Sequence, residues 1–297
     1  MRITEQMLSQ TTLNNIEANM TQLDQLEGEV SSGTQITKPS DNPVGTAQAL
    51  SLQEGIDQST QYLTNINTAT SWLSATDSAL SGVDNAVQSA RELAVEAANG
   101  TLSDSDRQSM TAEVQQLQQQ VLGLAQSKYG SSYVFSGTKS DTVGYVSANP
   151  STTAGAYQGN NGLIQRQVGA NQNVTVNVPA TSTFDPVFTA LNTLSSGLTN
   201  NDTSQIESSI NDLDKALTSV LAARSTVGAT TSRLTGLQTE TSSVQTNLQG
   251  LLSKVKDVDM AKAVTNFQTA QNVYQASLQA GAKAMVPSLL DYLPTTT

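Results

Sequence analysis

Apolar residues recur at three- and four-residue steps over most of this chain. The longest run is Leu213, Ala216, Val220, Ala223, Val227, Thr230, Leu234, Leu237, Thr241, Val244, Leu248, Leu251, Val255 and Val258, broken only by its two threonines. That spacing draws one stripe along one face of a long helix, and the stripe needs a partner helix over its whole length. Each large apolar side chain contributes roughly 1.5–3 kcal/mol when buried, and without that burial the helix is marginal. The pattern places the chain's role in helix-to-helix contact and assembly.

The same spacing predicts five further helical stretches. Leu13, Ile16, Met20, Leu23 and Val30 form the first seam, with Glu27 in one slot, and Gly33 stands where a helix C-cap is expected. Pro39 stops that helix, Asp41 or Asn42 can cap the next, and Pro43 suits its first turn. A second seam follows through Leu52, Ile56, Ser59, Leu63, Ile66, Thr70, Leu73, Asp77 and Leu80, then shifts phase to Val83, Val87, Ala90 and Ala94 before Asn99-Gly100. Ser103 and Asp106 have capping-box spacing at the head of a third helix seamed by Met110, Val114, Leu117, Val121 and Leu124. These two helices read as an antiparallel pair. Helix resumes near Pro186, with Val187, Leu191, Leu194 and Leu198 on one face. Asp202 or Thr203 then caps the long helix, whose phase slips at Asp257-Val258-Asp259. The last seam runs Met260, Val264, Phe267, Gln271, Tyr274, Leu278, Gly281 and Met285, before a dense apolar end at Leu289, Leu290, Tyr292 and Leu293.

Between residues 130 and 183 the periodicity changes. Charge nearly vanishes, Gly, Ser, Thr and Asn dominate, and the segment 173–178 alternates at period two, as a half-buried strand does. Tyr133 to Phe135, Val143 to Val146 and Leu163-Ile164 are further strand candidates, and Asn160-Asn161-Gly162 is a turn signal. The expected fold is mostly α: an elongated antiparallel helical bundle or coiled coil built from both chain ends, with a small β-rich inserted domain. Its segments are an N-terminal assembly helix and linker over 1–42, half of a helical rod over 43–130, and the insert over 131–185. The other half of the rod covers 186–258, and a C-terminal assembly helix covers 259–297.

Composition narrows the function. The 297 residues are 37% hydrophobic, 4% aromatic and 13% charged, which is lean for an enzyme core and suits thin bundles seamed by Leu, Val and Ala. A net charge of −11 with no basic stripe argues against nucleic acid. Without cysteine or histidine there is no disulfide, no Cys/His metal site and no His-based general base. The start MRITEQMLSQ has no apolar signal core, and no apolar run is long enough to span a bilayer. The first thirty residues are acidic and the last stretch, from Leu251, slightly basic. Weak complementarity between two terminal helices and two solvated faces both account for this.

No catalytic site, metal site or cofactor site is expected. Asp257 and Asp259 could form a carboxylate pair, but they sit at a heptad slip beside Lys254, Lys256 and Lys262, where solvated charge or helix contact explains them. Asp104 and Asp106 suit the start of a helix. No serine has a nucleophile-elbow context, no Gly-rich phosphate loop is present, and Trp72 reads as packing.

Several motifs carry a family resemblance. Leu23, Leu26, Val30-Ser-Ser-Gly33, Ile36, Pro39-Ser-Asp-Asn-Pro43, Gly45 and Gln48-Ala49 resemble the start of bacterial flagellin-like proteins. The Pro-Ser-Asp-Asn-Pro form, Asn99 to Arg107 and Tyr133 to Gly137 are most similar to the family's hook-associated branch. Arg233-Leu234, Val258-Asp259-Met260-Ala261, Gln268, Gln271, Tyr274-Gln275-Ala276 and Leu289-Leu290 resemble the C-terminal helix of the family. The resemblance covers both helical flanks and leaves out the insert.

The resemblance implies an extracellular structural protein of the flagellum, at the junction between hook and filament. It implies type III export without a cleaved peptide, a ring of identical subunits, and contacts with another junction protein and with flagellin; an export chaperone is a further expected partner. The terminal helices, 3–30 and 260–290, are expected to pair with each other and with neighbouring subunits. Leu13, Ile16, Met20, Leu23, Val264, Phe267, Tyr274 and Leu278 are the expected assembly residues. The alternatives are flagellin itself, a secreted adhesin or enzyme whose insert binds a ligand, and a membrane-touching translocator, which the low cation content disfavours.

Overall fold

The computed structural model describes residues 5–99, 102–149 and 152–285. Expectations at Ile3, at Gly100, at the Met285 side chain and from Leu289 to Pro294 lie outside what is described. Six helices are present among the described residues: α1 (Glu5–Ser32), α2 (Pro43–Ala97), α3 (Asp104–Ala125), α4 (Ala180–Asn200), α5 (Thr203–Lys256) and α6 (Met260–Met285). The described residues fall into two compact units, one within 1–57 and 245–297 and the other within 58–244.

In the second unit the core is the seam of α2 closed by three helices. Ile66, Leu73, Leu80, Val83, Val87, Ala90 and Ala94 are buried together with Val114 and Val121 of α3, Leu191 and Leu194 of α4, and Leu213 and Val220 of α5. The three- and four-residue spacing of the sequence therefore faces inward as expected. Helix starts are fixed by side chains. Ser103 Oγ accepts from Asp106 N–H while Asp106 accepts from Ser103 N–H, a complete capping box that holds the Asp106 carboxyl below its ordinary value. Asp202 caps α5 through Gln205 N–H. Buried Arg107 gathers the α2 end and the α4 end, donating to the carbonyls of Ala97 and Asn99 and to Asn201 Oδ1.

Within this unit α2 and α5 run antiparallel, and ionic contacts set their register. Arg224 donates to Asp77 at 3.2 Å and Asp84 at 2.9 Å, one heptad apart on α2, and Arg91 meets Asp214 at 2.7 Å. The α5 stripe keeps its expected phase through Val227 and Leu234. Beyond Thr241 the half-buried positions become Gln245, Leu248, Leu252 and Val255. Val244 and Leu251, expected in the seam, are 46% and 48% exposed. An undistorted helix has 3.6 residues per turn, so a strict 3.5-residue stripe drifts round its surface unless supercoiling holds it.

The insert consists of three antiparallel two-stranded ladders. They pair β1 (Lys128–Tyr129) with β2 (Ser132–Tyr133), β3 (Tyr145–Asn149) with β4 (Thr152–Tyr157), and β5 (Gln165–Gly169) with β6 (Gln172–Thr175). Val174, Val176 and Val178 are all buried, as their alternation predicts. Phe135, Tyr145, Tyr157, Phe184 and Phe188 form one aromatic cluster, in which Tyr145 donates to Asp185 at 2.7 Å. Helix resumes at Ala180, six residues before Pro186, with Ala180, Thr183 and Phe184 buried in its first turns and Phe184 part of this cluster.

Candidate assembly interface

In the first unit two chain breaks meet. Gly33 ends α1 in the left-handed conformation, φ 71°, which a residue with a Cβ adopts only with strain. Asn42 caps α2 through Gly45 N–H, with Pro43 in the first turn. At the other break Asp259 caps α6, accepting from Ala261 N–H and Lys262 N–H. The breaks are tied backbone to backbone: Gln35 N–H donates to Lys256 O at 2.8 Å, and Val258 N–H to Gly33 O at 3.0 Å. Gln35 Nε2 adds a bond to Val255 O. The carboxylates that could have formed a catalytic pair thus have structural positions, Asp259 as a cap and Asp257 in a bridge with Thr34.

From these breaks α1 and α6 run back along each other, antiparallel. Gly33 lies opposite Val258 at one end. Further along, Asn19, Gln22 and Leu26 face Asn266, Thr269, Ala270 and Val273 across a cleft. At the far end a Cβ on Gly281 would stand 2.9 Å from Ile16 Cδ1, so the glycine permits close approach there. The covered positions keep three- and four-residue steps on both helices: Thr12, Ile16, Asn19, Leu23, Leu26 and Val30 on α1, and Ala263, Phe267, Ala270, Tyr274, Ser277 and Gly281 on α6. No described α1 side chain is fully buried, and α6 packs along this helix.

The eight expected assembly residues separate into two sets. Ile16, Leu23, Phe267 and Tyr274 lie in the seam between α1 and α6, half-buried. Leu13, Met20, Val264 and Leu278 do not: they are 38%, 50%, 37% and 43% exposed. At about 100° per residue, the Leu13/Met20 stripe is rotated about 90° from the α1 seam and the Val264/Leu278 stripe about 80° from the α6 seam, in the same sense. On antiparallel helices, rotations of the same sense lie on the same face. The hairpin therefore carries one apolar face, joined by Met260, which is 45% exposed. The opposite face holds the amide-lined cleft of Asn19, Gln22 and Asn266.

Sequence reasoning missed the small and polar seam members Thr12, Asn19, Ala263, Ala270 and Ser277. Their signal is the recurrence of small side chains at helix spacing, which a search for large apolar residues passes over. Charge on α1 is entirely acidic, and Glu17 and Asp24 alternate with Leu13 and Met20 on one strip.

At the tied breaks Ile36, Pro39, Ala49, Leu50 and Leu252 line a cavity of about 220 Å³, with Lys38 and Lys256 among its walls. The Thr46 hydroxyl is buried at this cavity without a hydrogen-bond partner. Asp41, nearby, accepts from Lys38 N–H and the Thr37 hydroxyl, which hold its carboxyl below the ordinary range. Among the described residues no acidic cluster could hold a metal ion, and no helix is long and apolar enough to cross a membrane. Trp72 packs edge-on to Tyr129, 6.0 Å between ring centroids.

Residues 3–140 match the bacterial flagellin N-terminal helical region, and residues 210–293 the bacterial flagellin C-terminal helical region. The flagellar hook-associated protein 3 of Salmonella typhimurium is 27% identical over 305 residues, covering 93% of this chain and 95% of that one. Its Escherichia coli counterpart is 28% identical, with 94% and 96% covered. The solved hook-associated protein 3 of Legionella pneumophila shares the fold, with a TM-score of 0.63 at 17% identity, over 69% of this chain and 98% of that one.

Proposed function

We propose, from the premise that this chain belongs to the bacterial flagellin family, that it is a structural subunit of the flagellum forming the junction between hook and filament. Two features support this reading. The likeness to hook-associated protein 3 runs nearly end to end in both partners, insert included. The hairpin of α1 and α6 also presents Leu13, Met20, Val264 and Leu278 on one uncovered face. That second observation carries the mechanism. Four large apolar side chains about half covered in the monomer gain roughly 4 kcal/mol in total when a neighbour covers them. The protein works by this docking and not by catalysis.

In this reading identical subunits close into a ring between another hook-associated junction protein and the first flagellin layer. The subunit reaches the cell exterior by the flagellar type III route without a cleaved leader, held before export by a chaperone. Leu13, Met20, Val264 and Leu278 are the intersubunit residues, and Ile16, Leu23, Phe267 and Tyr274 hold the hairpin that presents them. Electron microscopy of a strain lacking the gene tests the role. The expected result is hooks without filaments, with flagellin released to the medium. Normal attached filaments would refute it.

A further inference from the structure

The strip along α1 alternates apolar and acidic residues one turn apart: Leu13, Glu17, Met20, Asp24. All four are exposed, and α1 carries no Lys or Arg to neutralise them. The cavity at the chain breaks has the opposite character. Its walls are apolar, Lys38 and Lys256 stand among them, and neither lysine has an ion pair among the described residues. Leu50, also in its wall, is 66% exposed.

We infer that this cavity receives the α1 strip of a second copy, with Met20 as the inserted side chain and Glu17 and Asp24 meeting Lys38 and Lys256. The inference rests on the ring reading above and names the two surfaces that join. Charge and shape both select this occupant. About 220 Å³ accepts one long unbranched side chain, and methionine adapts to irregular gaps. Its thioether offers the buried Thr46 hydroxyl a weak acceptor. Within one chain Asp24 lies across a separate cleft from Lys38, without an ion pair, but no α1 residue lines the cavity itself, so its apolar walls are left for a second copy. The two surfaces differ, so the contact is head-to-tail, the kind that closes into a ring when the rotation between copies allows.

The chain has no cysteine, so introduced pairs report without background. In a strain lacking the gene, the full-length Met20→Cys/Leu50→Cys variant is expected to give a ladder of disulfide-linked copies in isolated flagella, while each single variant gives none. A variant present at the hook tip without a ladder, or linked to a different protein, overturns the inference and leaves the junction role standing. Wild-type protein absent from the hook tip overturns the junction role itself. A second measurement uses exposed side chains only. Lys38→Glu/Lys256→Glu is expected to lower incorporation at least tenfold, and adding Glu17→Lys/Asp24→Lys to restore most of it, with helicity unchanged throughout. Full incorporation of the first variant, or no recovery in the second, counts against the contact.

Discussion

Single residues decide how closely the terminal helices pair. Gly281 faces Ile16, and a methyl there would press on Ile16 Cδ1 at 2.9 Å, the far end of a side chain able to move aside. A helix gains roughly 0.5–1 kcal/mol when an interior glycine becomes alanine. Gly281→Ala is therefore predicted to leave the hairpin within about 0.5 kcal/mol of its present stability, whereas Gly281→Phe has no room and pushes α1 off α6. Hydrogen exchange along α1 checks this: protection kept in the alanine variant and lost in the phenylalanine variant. At this scale much was legible in the sequence. Asn42, Ser103 with Asp106, and Gly33 have the roles their chemistry suggests, because a cap depends on only a few neighbouring residues. At Asp259 the sequence marks the phase slip and the new seam from Met260 but leaves the aspartate as solvated charge or helix contact; the structure makes it the cap of α6.

Helices and strands differ in how far the pattern predicts them. The α2 seam and most of the α3 seam were readable: Met110, Val114 and Val121 are buried as expected, while Gln118 and Ala125 are buried beside the expected Leu117 and Leu124, which are only partly covered. The far part of α5 was not readable. Val244 and Leu251 continue the heptad in sequence, yet the covered face has moved to Gln245 and Leu252. The β4 strand, Thr152–Tyr157, gave no signal, since alanine and glycine are poor strand formers. Register along α2 and α5 depends on ion pairs of unequal burial. Asp84 is only 10% exposed at its side chain, while Arg91 and Asp214 are near half exposed. Arg224→Gln is predicted to cost about 1–2 kcal/mol, moderated because Gln88 still donates to Asp84. Arg91→Gln should cost under about 0.5 kcal/mol, as exposed pairs do. Urea unfolding of both variants measures the difference, and equal costs would contradict this ranking.

For the molecule, the informative quantity is what each unit leaves uncovered. The unit of residues 58–244 closes a core around α2 and is complete in itself. The unit from the chain ends is not: no described α1 side chain is fully buried, and an apolar face remains open beside it. The sequence made the terminal helices legible as a helix pair but merged two stripes into one, because residues at three- and four-residue steps on either side of a seam look alike without a partner in view. Separating the stripes places Ile16, Leu23, Phe267 and Tyr274 in the hairpin seam and leaves Leu13, Met20, Val264 and Leu278 exposed, the side chains proposed above to meet neighbouring subunits. The most direct measurement is complementation of the null strain with Met20→Asp/Val264→Asp/Leu278→Asp. The expected outcome is a secreted, helical protein missing from the hook tip, with bare hooks; swimming cells with firmly attached filaments would contradict the account.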